Sequence, residues 1–359
     1  RRLGAAAAAV AVVTAVAVAV PSRSADRAEG PPAGQGREVT LSPSAAVRTT
    51  VTLRELAAGA PPEVGWREGD TFHHSGGHDV ELPVGTSEVV EKGESTVAVV
   101  AAVHPSLRVL DASGTSGTPV TGDRPVTDGA GRIAYVDHEK AAVVVLSPQG
   151  ETAWSYDVPD PSRAAPVGFL DTDRVLVALL PRTSGSRPRY VVAGPEGGRP
   201  WQSAMTVQVV GSRALGGVGP GSADVPCLTV QSSRTGAPDW RACPPAGQRA
   251  GLGYRTATDL SPADRWLVAL GRELPGAGGT DRVVVLDTRT GEAARELVAA
   301  PGAVIGQAVA ETDDAVLLAV WEDGRAGLVR CTIDGACETA APSRSVALAD
   351  WVRAPMATG

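Results

Sequence analysis

The chain holds five histidines, and three of them fall within one short run, His73-His74-Ser75-Gly76-Gly77-His78. Imidazole is a common ligand of zinc and copper, so this run is the candidate metal cluster. On a strand His73 and His74 point to opposite faces, and only His78, beyond the Gly76-Gly77 turn, can meet one of them. Two ligands without a third make a poor transition-metal site, so no metal site is assigned. Asp171-Thr172-Asp173 and Asp313-Asp314 are acidic pairs of the kind used in acid–base chemistry. Both precede an apolar run, where Asp is favoured by turns, and a turn role is expected of them. The chain lacks a Gly-x-Ser-x-Gly elbow, a Walker loop, a dinucleotide fingerprint and an EF-hand ligand run. No catalytic residue, cofactor-binding residue or cofactor is therefore assigned.

The four cysteines carry more information. Cys227 and Cys243 lie symmetrically about Thr235 in an Arg-Thr-Gly turn, and Cys331 and Cys337 lie symmetrically about Asp334 in an Asp-Gly turn. Each pair would face across one hairpin at a separation suited to a disulfide. Free buried thiols and a four-cysteine zinc site are the alternatives, but no Cys-x-x-Cys spacing supports the zinc site. Two hairpin disulfides call for an oxidising compartment.

These residues must sit on some scaffold, and composition constrains it. The 359 residues are 43% hydrophobic and 20% charged, with 42 Gly, 28 Pro and only 4% aromatic residues. That is the balance of many short strands joined by turns. Net charge is −7, and no basic stripe is present, so nucleic acid is excluded as an expected partner. Nearly all basic residues are Arg, with Lys92 and Lys140 the exceptions, which together with the Ala and Val content fits a GC-rich coding bias.

Internal repetition decides the fold class. Six units open with a turn and an apolar strand, at 93–102, 129–137, 171–180, 211–219, 261–271 and 312–321. A second strand ending in a Gly turn follows each, for example AVVVLSPQG, RVVVLDTRTG and GLVRCTIDG. The strands open near residues 96, 132, 174, 213, 265 and 315, a spacing of 36 to 52 residues. One four-stranded propeller blade has about that length, roughly 40–50 residues. In three units the hairpin Gly is followed four residues later by Trp: Gly150 and Trp154, Gly197 and Trp201, Gly236 and Trp240. Trp154, Trp201 and Trp240 are expected on outer strands, packing the seams between blades. Two fragments remain, VGWREGDTFHHSGG at 64–77 and SVALADWV at 345–352. Together they would complete a seventh blade and close the ring, which removes exposed sheet edges. The expected fold is thus an all-β propeller, most simply of seven four-stranded blades, over residues 49–359.

Ahead of it, Arg1 and Arg2 precede an apolar run from Ala5 to Val20, which Pro21 ends. Its length is at the lower limit for a membrane span, and the arginines place its N-terminus in the cytoplasm. A signal-peptide core and a low-complexity Ala/Val run set by composition are the alternatives. The absence of an initiating Met favours a retained anchor over residues 1–20 and leaves room for a cytoplasmic segment upstream. Residues 21–48 are polar and rich in Pro and Gly, and read as a flexible linker.

Two motifs give the repeat a family likeness. Leu260-Ser261-Pro262-Ala263-Asp264-Arg265-Trp266 resembles the SPDGR strand entry of TolB-like repeats, and Val285-Leu286-Asp287-Thr288-Arg289-Thr290-Gly291 resembles the LD-x-x-TG hairpin of quinoprotein-like blades. From about Pro62 to Trp351 the chain resembles the exported WD40-like and TolB-like propellers of actinobacteria. The resemblance implies a membrane-anchored propeller. It does not extend to a quinone cofactor, because Arg295 stands where the Trp marker would follow Gly291 and no ligand set is present. The functional expectation is a non-enzymatic binding, scaffold or sensing module, monomeric, outside the cytoplasm, with a protein or cell-envelope ligand. A propeller enzyme (hydrolase, lyase or quinoprotein-like dehydrogenase) with its site in the channel is the alternative.

Overall fold

In the computed structural model the described residues are 37–40 and 46–345, apart from 103–104, 115–116, 118, 129, 184–187, 202–204, 211–212, 219–226, 233–237, 244–255, 272–273 and 275. The chain divides into residues 1–33 and 34–359, and only the second unit holds described residues. The predicted anchor at 1–20 and the closing segment SVALADWV beyond Ser345 lie outside them. Among the described residues no helix is long and apolar enough to cross a membrane.

Strands β1 (Arg37–Thr40) and β2 (Val47–Val51) lead into a three-stranded sheet, β3 (Trp66–Glu68), β4 (Thr71–His73) and β5 (Asp79–Glu81). Six four-stranded meanders follow. The second sheet is β6 (Thr86–Lys92), β7 (Ser95–Val100), β8 (Ser106–Leu110) and β9 (Val120–Thr121). The third is β10 (Asp123–Thr127), β11 (Ile133–Asp137), β12 (Ala142–Leu146) and β13 (Thr152–Asp157). The fourth is β14 (Ala164–Phe169), β15 (Val175–Leu179), β16 (Arg189–Gly194) and β17 (Gly197–Trp201). The fifth is β18 (Met205–Val210), β19 (Arg213–Val218), β20 (Cys227–Ser232) and β21 (Pro238–Cys243). The sixth is β22 (Thr256–Leu260), β23 (Trp266–Leu270), β24 (Arg282–Asp287) and β25 (Ala293–Ala299). The seventh is β26 (Ala303–Ala310), β27 (Ala315–Glu322), β28 (Arg325–Thr332) and β29 (Cys337–Ser345).

Each sheet packs face to face on the next. Val97, Val99 and Leu107 of the second meet Ile133, Tyr135 and Val144 of the third, and Val268 and Val283 of the sixth meet Ile305 and Leu318 of the seventh. The seventh in turn packs Val309, Leu317 and Leu328 against Val64 and Trp66 at the first sheet, while Phe72 and Val80 of the first meet Val89 and Ala98 of the second. Sequential antiparallel meanders stacked in this way, last on first, form a β-propeller.

The two strands recognised in each repeat are the middle pair of each meander. They are covered on both faces by neighbouring sheets, so they read as unbroken apolar runs such as AVVVL and VLVAL. All six middle pairs keep a continuous register. All six first strands, by contrast, carry a one-residue register shift against their partners. A bulge bends and twists its strand, which suits the first strands because they neighbour one another from sheet to sheet.

Turn chemistry accounts for both family-like motifs. Ser261 is buried, its Oγ accepts the N–H groups of Arg265 (3.0 Å) and Trp266 (3.1 Å), and Asp264 adopts φ 58° where the related motif has Gly. Asp tolerates that left-handed conformation better than most residues. Asp287 Oδ1 accepts from the N–H groups of Arg289 and Thr290 at 2.7 and 2.9 Å, closing the hairpin loop.

The linker reading of residues 21–48 is corrected at 37–40 and at Val47–Arg48. There β1 runs parallel to β21, and β2 parallel to β25, each adding a fifth strand on the outer edge of a sheet. Ala58 bridges Thr339 in the same parallel sense. The N-terminal segment is therefore a strap laid along the fifth, sixth and seventh sheets. Three buried carboxylates hold it. Glu296 takes Arg48 at 2.6 Å, Glu322 accepts from Thr52 Oγ1 and the Leu53 N–H at 2.7 and 2.6 Å, and Glu311 accepts from the Glu63 N–H at 2.6 Å. Arg330 completes the hold, bonded to Glu311 and Glu338 and to the carbonyls of Ala60 (3.0 Å) and Pro61 (2.8 Å). Those carboxylates, through hydrogen bonds led by Glu311, hold its guanidinium above its ordinary pKa.

Candidate functional site

The histidine run lies where the first sheet meets the seventh, at the end of β4 and in the turn before β5. His73 stacks on Trp66 with ring centroids 3.8 Å apart, and its Nδ1 lies 2.8 Å from Asp79 Oδ1 across the β4–β5 pair. Its Nε2 faces Glu68 at 3.7 Å. His74 leaves on the opposite side, meets Phe72 edge-on, and stacks on His78 at 4.4 Å. His78 thus reaches His74 across the Gly76-Gly77 turn, while His73 takes a separate environment. Among the described residues no group of three or more His, Cys, Asp or Glu side chains is arranged to hold a metal ion.

His74 is locked in place. Its Nδ1 accepts the Gly76 N–H at 2.9 Å, and Glu91, 3.5 Å from the same nitrogen, accepts the Ser75 N–H at 2.7 Å. An Nδ1 that accepts leaves the proton on Nε2 of the neutral ring. That Nε2 is buried and has no hydrogen-bond partner, although His74 is only 6% exposed. Buried polar atoms in folded proteins are nearly always paired, so an orphan here calls for an explanation.

Beside this cluster is a cavity of about 730 Å³, lined among others by Glu63, Trp66, His73, His74, Ser75 and Asp79. Four segments build it: the end of the strap at Pro61–Glu63, strand β3, the β4–β5 turn, and Ala340–Ala341 of β29. The histidines were legible in the sequence. Trp66, Glu63 and Asp79 were not singled out there, although the hairpin symmetry that brings Asp79 opposite His73 was available as a signal.

The acidic pairs behave as turn residues. Asp171 Oδ1 accepts the Asp173 N–H at 3.1 Å, and Asp171 also pairs with Arg174. Burial pushes the Asp171 carboxyl up, but hydrogen bonds from Arg174 and the Asp173 amide outweigh it and hold the pKa below the usual value. Asp313 Oδ1 accepts the Ala263 N–H at 3.0 Å and so ties the sixth sheet's turn to the seventh.

Another polar group lies on neighbouring first strands. Glu88 is raised by burial and by Asp123, whose Oδ1 lies 3.1 Å from His138 Nε2. Arg124 donates to the carbonyls of Ala164 and Ser162 in the next sheet, so this group stitches sheets together.

The Trp residues line the seams. Trp154 packs in the cluster shared by the third and fourth sheets, Trp201 in that of the fourth with Val209, and Trp240 in that of the fifth and sixth. Cys331 and Cys337 face each other in the β28–β29 pair and form a disulfide. In the β20–β21 pair Leu228 stands opposite Ala242, which makes Cys227 and Cys243 the next pair in register; their side chains lie outside the described residues.

No family model and no curated relative matches the chain. Among solved structures it is similar to the Kuenenia stuttgartiensis hydrazine synthase, at 12% identity over 70% of this chain and 77% of that one, with a TM-score of 0.47. It is also similar to the β-propeller domain of the trilobed protease from Pyrococcus furiosus, at 13% identity over 72% and 84%, TM-score 0.47. A streptogramin B lyase matches at 14% identity over 75% and 87%, TM-score 0.48. At this distance the propeller is read from the chain's own sheet order and seams, and no activity transfers.

Proposed function

We propose that this chain is a seven-bladed propeller serving as a non-enzymatic binding module outside the cytoplasm, with its ligand seated in the seam cavity. The carrying observation is His74, a nearly fully buried imidazole in the cavity wall whose Nε2 has no partner. Trp66 in the same wall offers the aromatic surface that recognition sites favour. Seven sheets, with the last packed on the first, support the blade number. The Cys331–Cys337 disulfide and the apolar run at 5–20 behind two arginines support an exported, membrane-held chain.

The test is capture from cross-linked membranes by the full chain, with His74→Leu and Trp66→Ala beside it. A partner held by the wild type and lost by both variants is the expected result. Equal capture by all three overturns the seam as the recognition site.

One observation favours the enzyme reading. His73 is oriented by Asp79 at 2.8 Å on the rim of the same cavity, the arrangement a general base requires. Its Nε2 faces Glu68 at 3.7 Å rather than a hydroxyl, which supports the binding reading over a nucleophilic one.

A further inference from the structure

The fourth sheet carries a second cavity, remote in sequence from the seam and of different chemistry. The segment between β13 and β14 and the residues following β15 enclose about 470 Å³. Small-molecule sites commonly occupy about 300–1,000 Å³. Leu179, Leu180 and Pro181 form an apolar wall, and Arg163, Arg182, Arg189 and Asp160 supply the charges.

Three guanidinium groups against one carboxylate make this cavity positive on a chain of net charge −7. Asp160 offsets part of that charge without balancing it. Its Oδ1 accepts the Ser162 hydroxyl at 2.6 Å, while its Oδ2 forms ion pairs with Arg163 at 3.6 Å and Arg182 at 3.9 Å, which leaves the three guanidinium groups in excess. Arg189, exposed at the start of β16, makes no ion pair among the described residues. Arg163 is held rigidly, since its carbonyl accepts the Leu180 N–H at 2.8 Å and its guanidinium donates to the Pro181 carbonyl.

The apolar side is equally unusual. Leu180 is 44% exposed, and Val47 and Val84 are the other large apolar side chains left so open among the described residues. An exposed leucine beside an arginine that has no ion pair among the described residues is complementary to a molecule with an apolar body and an anionic head. The planar guanidinium fork matches carboxylate and phosphate oxygens in pairs.

We propose that this cavity binds a small free amphiphilic anion, its carboxylate or phosphate head on Arg163, Arg182 and Arg189 and its short alkyl body against Leu179–Pro181. The site is independent of the seam reading and stands or falls separately from it.

Isothermal titration of the full chain with octanoate tests it, alongside octylammonium, inorganic phosphate and phosphatidylglycerol vesicles. Saturable octanoate binding without octylammonium binding is expected. Arg189→Gln, an exposed change, should weaken octanoate about tenfold or more, the loss of one hydrogen bond to a charged group. Leu180→Ser should weaken octanoate while leaving any phosphate binding unchanged. Equal binding of octanoate and octylammonium overturns the proposal, as does wild-type affinity in Arg189→Gln. Phosphate binding as tight as octanoate removes the apolar wall from the site. Vesicle binding without octanoate binding replaces the free amphiphile with a membrane surface and overturns it as well.

Discussion

The Leu53 amide donates to the carboxylate of Glu322 at 2.6 Å, across 269 residues of sequence. The same oxygen accepts from Thr52 Oγ1, and Arg54 lies 3.3 Å from its neighbour, so a single buried side chain of the seventh sheet catches three consecutive strap residues. Glu322→Ala would leave the Leu53 N–H and the Thr52 hydroxyl without their acceptor. A loss of about 1–3 kcal/mol is expected, read as a lower urea midpoint. Glu322→Gln keeps one acceptor oxygen and should lose less. An unchanged midpoint in Glu322→Ala would show that the strap is not held there.

The seam tryptophans should differ in their contribution. Trp240 is 1% exposed and its Nε1 donates to the Thr288 carbonyl of the next sheet, whereas Trp154 is only half-buried. Trp240→Ala is expected to cost about 3–5 kcal/mol, as for a fully buried aromatic, and Trp154→Ala clearly less. Thermal unfolding of the two variants side by side checks the order.

Cys331 and Cys337 close a short loop at a sequence separation of 6. The chain-entropy model gives roughly 2 kcal/mol for such a loop. Cys331→Ala with Cys337→Ala should lower stability by that amount, and dithiothreitol should then have no further effect through this hairpin. Reductant titration of wild type and double variant measures both.

Tyr135 is buried, and that burial, with the Asp137 charge behind it, pushes its phenol up to about 12. The unfolded chain would ionise this group near pH 10 while the folded chain still holds the proton. The stabilisation is therefore full below pH 10 and is lost as pH rises from 10 through 12, amounting to about 3 kcal/mol. Tyr135→Phe should flatten that part of the alkaline stability curve. Identical curves for the two proteins would place the loss elsewhere.

The sequence by itself determined the central strands of the meanders, because burial on both faces demands apolar runs and the turns that flank each pair demand Gly and Asp. It also determined the Cys331–Cys337 pairing, since antiparallel strands place residues symmetric about a turn opposite each other. The histidine cluster was visible too, down to His78 reaching one of its neighbours. Only the tertiary structure decided the rest. The first strands carry register shifts that break the two-residue period, and outer strands such as Thr152–Asp157 alternate weakly because one edge faces solvent. The strap left no apolar signature, since its parallel pairing runs through main-chain hydrogen bonds that nearly any residue supplies. The seam cavity was hidden for a related reason. Its walls come from the strap, the first sheet and the seventh, and residues 63 and 340 become neighbours only when the last sheet closes on the first.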